Sequence, residues 1–95
     1  MKLVKVVKSD RHGKKWKAVF DNDGKSKTTH FGAAGMEDYT QHHDKERRER
    51  YRARHKKDLE TGDPTRAGFL SYYLLWGEST SLQENLASYR RRFGL

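Results

Sequence analysis

Four histidines and a run of arginines are the residues of this 95-residue sequence best equipped for chemistry. His30, His42, His43 and His55 could ligate a metal or move a proton, because imidazole does both near neutral pH. Metal-assisted hydrolysis needs a ligand set and a general base in register. The sequence shows no paired carboxylates and no H-x-x-x-H spacing, and the adjacent pair His42–His43 points two ways. His55 instead follows Tyr51 at helical spacing and is expected to pack on it. His43 and Asp44 are expected to organise a helix start. There is no cysteine, which excludes disulfides, zinc thiolate sites and cysteine nucleophiles. The expectation is a protein that is not an enzyme, with no cofactor and no metal.

The arginines point elsewhere. Residues 42–60, HHDKERRERYRARHKKDLE, hold eight Lys and Arg, five Asp and Glu and three His. At about 100° per residue on a helix, Tyr51, His55 and Leu59 form a thin apolar stripe. Arg47, Arg50, Arg54 and Lys57 fall in one row, and Arg48, Arg52 and Lys56 in another. A solvated helix docked through Tyr51 and Leu59 is the plainest account of that pattern. The sharper one is a phosphate-contacting surface, since most of these cations are Arg, whose planar fork matches phosphate oxygens as Lys does not. Interspersed Glu favours a folded helix over a flexible basic arm. Lys14, Lys15, Lys17, Lys25 and Lys27 form a second set, which could also guard a sheet edge. Arg90, Arg91 and Arg92 form a third, which could also favour the negative end of a helix. The formal net charge of +8 and pI near 9.9 suit a polyanion.

The elements that must carry these residues read as an α+β domain spanning residues 1–95. KLVKVVK alternates loosely and predicts a strand. In KKWKAVF, Trp16, Ala18 and Phe20 share one face at period two. DNDG is a strong hairpin signal, because Asp and Gly accept the positive φ of a tight turn. KSKTTHF returns as a strand, so residues 1–31 form a small antiparallel sheet of two or three strands. Asp38 could cap a short turn, and Asp44 should cap a basic helix over 44–60. Glu46–Arg50, Arg54–Asp58 and Lys56–Glu60 are spaced as i,i+4 ion pairs. A helix from Pro64 or Thr65 is apolar nearly all round in its second half and should be central. Ser81 and Glu84 make a capping box for the last helix, and residues 64–93 form an αα-hairpin. Three helices therefore follow the sheet. Trp16, Trp76, Phe69, Tyr72 and Tyr73 could stack bases, but their spacing suits core packing. A hairpin followed by a histidine-bearing helix has the outline of ββα-metal nucleases, without their ligand spacing. No stretch approaches the length of a membrane span.

KTTHFGAAGMEDYTQHHDKERRERYRARHKKDLE and DPTRAGFLSYYLLWGESTSLQENLASYRRRF together resemble the dinoflagellate/viral nucleoproteins and related small basic proteins of large DNA viruses. The resemblance rests on Phe31-Gly32, Asp38-Tyr39-Thr40, His42, Asp44, Arg47 or Arg48, Tyr51 and Arg54-His55. It continues through Ala67-Gly68, Ser71, Leu74-Leu75-Trp76 and Arg91-Arg92-Phe93, covering roughly residues 14–93. It implies DNA binding and condensation of viral or chromosomal DNA, in virion or nucleus. Dinoflagellate members carry a long, very basic N-terminal arm that this sequence does not contain, which argues against strong bulk compaction.

The expected function is sequence-independent binding of double-stranded DNA, chiefly through phosphates, with RNA and homo-oligomerisation on DNA as open alternatives and no membrane partner. Arg47, Arg48, Arg50, Arg52, Arg54 and Lys57 are the first-choice contacts. Neutralising about 6–10 phosphates would lower affinity roughly 10³–10⁵-fold between 50 and 200 mM salt. The competing expectation is a structural virion or assembly protein that binds acidic partners and exposes an apolar patch around Tyr72, Leu75 and Trp76.

Overall fold

Alternation of core and solvent residues builds the N-terminal sheet. A computed structural model describes residues 1–95. Strands β1 (Lys2–Lys8), β2 (Lys14–Asn22) and β3 (Lys25–Ala33) pair antiparallel in the order β1-β2-β3. Leu3, Ala18, Phe20 and Phe31 point to one face and are buried. The β2–β3 connection is the two-residue turn Asp23-Gly24, both at positive φ, with the Asp21 carboxylate accepting from the Gly24 N–H. Three strands form, and the third runs two residues past the expected end at residue 31.

The helices cover the inner face. Asp38 caps the short α1 (Tyr39–His42), and Asp44 caps α2 (Lys45–His55) by accepting from the N–H groups of Glu46 and Arg47. α2 tightens into a 3-10 segment, Lys56–Thr61, and ends at Gly62 in the left-handed region. The helix expected over 44–60 is therefore α-helical only to His55. α3 (Ala67–Leu70) starts after a turn in which Asp63 accepts from Thr65. It runs on as a π-helical turn, Ser71–Leu75, closed by Trp76 N–H donating to the Ser71 carbonyl. α4 (Leu82–Phe93) folds back antiparallel, with Tyr73 beside Tyr89 and Phe69 beside Phe93. At its start Ser81 accepts from Glu84 N–H, but the Glu84 carboxylate accepts from the Ser79 hydroxyl instead of closing the box.

α3 is the central element, as its all-round apolarity requires. Phe69, Leu70, Leu74 and Leu75 pack between the sheet and Tyr89 of α4. Gly68 sits against Asp58, where an added Cβ would lie 2.9 Å from that side chain. α2 lies outside this core and buries no residue fully. It is held by flat contacts. Tyr51 stacks on Trp76 at 4.3 Å between centroids and on His55 at 4.1 Å.

Candidate nucleic-acid interface

The cations of α2 divide by flank. Arg48 and Arg52 turn inward. Arg52 Nη1 donates to the Trp76 carbonyl at 2.8 Å, and its guanidinium lies over the Tyr72 ring at 4.3 Å. Arg48 Nη1 reaches the carbonyls of Gly77 and Glu78 at 3.4 and 3.5 Å. Its Nη2 pairs with Glu49, and its guanidinium stands 5.0 Å from the Tyr39 ring. These carbonyls belong to the residues that follow the π turn, starting with its C-cap Trp76, and buried or half-buried acceptors of this kind need a donor. A guanidinium with an apolar stem and a planar face suits that position.

Arg47, Arg50, Arg54 and Lys57 lie on the other flank and enter no ion pair. The bridges that spacing allows at Glu46–Arg50, Arg54–Asp58 and Lys56–Glu60 do not close; Asp58 meets His55 instead of Arg54, at 3.0 Å, and Lys56 and Glu60 lie in the 3-10 segment. Beside this flank is a cleft of about 510 Å³. α2 contributes Arg47, Arg50, Tyr51 and Arg54 to it, the end of β3 contributes Ala33, the β3–α1 connection contributes Met36 and Glu37, and the π turn contributes Leu75 before Trp76.

The remaining cations fall into the same two kinds. Lys15 Nζ binds the buried Asp38 carboxylate at 2.7 Å and Gln41 at 2.6 Å. Lys27 Nζ donates to Thr65 Oγ1 at 2.7 Å. Arg90 donates to the Leu3 carbonyl at 2.9 and 3.1 Å and to the Val4 carbonyl at 3.2 Å. Lys17 lies 3.5 Å from the exposed Asp10. Lys14, Lys25 and Arg91 are exposed, and Arg92 rests 5.1 Å from the Tyr73 ring. Sequence reasoning passed over Arg11, reading SDRHG as turn chemistry alone. Ala34 N–H donates to the Gly13 carbonyl, which sets this turn, with Arg11 and Lys14, alongside the connection that borders the cleft. Its own cations were the available signal.

The histidines are dispersed. His30 Nδ1 is 2.7 Å from Ser9 Oγ. His42 Nδ1 accepts from Asp44 N–H, while its ring packs on Tyr39 and Trp76 and its Nε2 is buried without a partner. His43 is exposed in the left-handed conformation that separates α1 from α2. No group of three or more His, Asp or Glu is close enough to hold a metal ion.

Titration follows the same packing. The N–H of Arg47, with that of Glu46, holds the Asp44 carboxyl below its ordinary value. Burial first, and the Asp58 charge second, push the Tyr51 hydroxyl up to about 12. No helix is long and apolar enough to cross a membrane.

No curated protein and no solved structure matches the chain. A family model matches residues 4–55, from β1 to the end of α2, and so includes Arg47, Arg50 and Arg54 but not Lys57, α3 or α4. The match spans more than half of the sequence, and the chain therefore belongs to the DUF5754 family, a family of unknown function.

Proposed function

We propose that the protein binds double-stranded DNA without regard to sequence and coats or condenses it through phosphate contacts. The observation that carries this reading is the unpaired row Arg47, Arg50 and Arg54 on one flank of α2, with Lys57 just past the helix end. The three arginines rise roughly 10 Å along the helix. A duplex strand offers a phosphate about every 3.4 Å of axis, so they span about three of them. Lys14, Lys25, Arg11, Arg91 and Arg92 supply outlying positive charge. Lys17 is held only by an exposed acid, a pairing weak enough for a phosphate to displace. Arg48, Arg52, Arg90 and Lys15 leave the contact set, because each is tied to acceptors within the fold, and Lys27 is tethered to Thr65 by one of its donors. Phosphate contacts carry no base information, which is why no sequence preference is expected.

The resemblance to dinoflagellate/viral nucleoproteins supports a place in virion or nucleus. RNA offers the same phosphate chemistry, and copies could associate along a strand. The assembly-protein reading needed an open apolar patch at Tyr72, Leu75 and Trp76. Tyr72 and Leu75 are buried and Trp76 is covered by Tyr51, which favours the DNA reading. The test is competition against a labelled random-sequence duplex. Unlabelled duplexes of unrelated sequence should compete equally. Absence of binding at low salt, or competition by one sequence only, would refute the proposal.

A further inference from the structure

We propose that the cleft between α2 and the β3–α1 connection receives one unpaired nucleotide, with its phosphate on the arginine row and its base against Met36. The inference rests on the nucleic-acid reading above and adds a preference for DNA with an unstacked base. A regular duplex offers phosphates to a surface but places no base in a concavity. This cleft has features that phosphate binding does not need. Met36 is the most exposed of the large hydrophobic residues, at 64%, and it lines the cleft together with Ala33, Arg47, Arg50 and Arg54. The volume of about 510 Å³ falls in the range of small-ligand sites.

Glu37 also lines the cleft. Its carboxylate opposes a bare phosphate but accepts a hydrogen bond from the amino group of cytosine. The base does not enter the aromatic stack, because His55 and Trp76 already cover both faces of Tyr51. It lies instead between the Met36 thioether and a guanidinium plane, each of which packs well on a π face. Amphipathic walls of this kind suit an unpaired base, which in a duplex is supplied by a bulge, a flipped nucleotide or an end.

The test compares three otherwise identical duplexes by fluorescence anisotropy: one perfectly paired, one with a cytosine bulge, one with an abasic bulge. The cytosine bulge should bind at least about fivefold more tightly than the other two, the gain expected for one base packed on such a surface. Met36→Ser, at an exposed position, should abolish that gain and leave the affinity for the paired duplex unchanged. Equal affinity for the cytosine and abasic bulges, or a gain that survives Met36→Ser, would overturn the nucleotide site while duplex binding stands. Failure of all three duplexes to bind would overturn both readings.

Discussion

Changing Arg50 and Arg54 together to glutamine should halve the salt dependence of duplex binding. Log affinity falls against log salt with a slope of about −0.9 for each phosphate neutralised. The four unpaired cations, three on α2 and Lys57 just past it, give a slope of about −3.6, and affinity should drop about 150-fold between 50 and 200 mM salt. The double variant retains Arg47 and Lys57, for a slope of about −1.8 and a drop of about 12-fold. Both figures lie well below the roughly 10³–10⁵-fold drop expected from neutralising about 6–10 phosphates. Arg48→Gln should leave the slope near its original value, since that guanidinium already serves the Gly77 and Glu78 carbonyls. Anisotropy titrations of a random-sequence duplex at four or more salt concentrations would measure all three slopes. A parent slope steeper than about −6 would mean that the outlying cations Arg11, Lys14, Lys25, Arg91 and Arg92 also meet phosphates. An unchanged slope in the double variant would remove α2 from the interface.

Arg52→Ala should lower stability by about 2 kcal/mol, because it removes both a charged hydrogen bond and a cation–π interaction. A thermal melt followed by circular dichroism should fall roughly 10 °C for a domain of this size. Gly77→Ala should cost about 3 kcal/mol or more, because its Cβ would overlap the Tyr73 carbonyl and press on Asn85; native-like unfolding in urea would contradict this. The raised Tyr51 hydroxyl favours the neutral, folded form. Its stabilising effect is complete below the ordinary value of 10.0 and is lost as pH rises toward about 12. Alkaline unfolding followed by helical ellipticity should therefore shift to higher pH in Tyr51→Phe, and an unchanged transition would count against the burial of that hydroxyl.

The sheet and most helix starts were legible because their signals are local; the exception is α3, expected from Pro64 or Thr65 but starting at Ala67 after a turn held by Asp63. DNDG names its own turn, and Asp38, Asp44 and Ser81 each stand where a cap is needed. Tyr51 and His55 were placed correctly by helical periodicity. The π turn was not foreseen, since Ser71–Leu75 carries no composition that separates a five-residue hydrogen bond from a four-residue one. The division of the arginines was hidden for a related reason. On the wheel Arg48 and Arg52 flank the apolar stripe much as Arg47 and Arg54 do. What turns them inward is a set of carbonyls at residues 76–78, more than twenty positions away, in the segment that follows the π turn. A local reading sees donors. It does not see which distant acceptors remain unsatisfied.

The tie between Arg90 and the Leu3 and Val4 carbonyls joins the first strand to the last helix. During synthesis at about 5–20 residues per second, the strand waits roughly 4 to 17 seconds for its guanidinium. For that interval the Leu3 and Val4 carbonyls lack the donor that meets them in the folded chain, and β1 is a strand at the edge of its sheet. The newborn chain is thus most prone to pair with another copy before its final turn of helix has emerged, and removal of Arg90 would extend that interval for the lifetime of the protein.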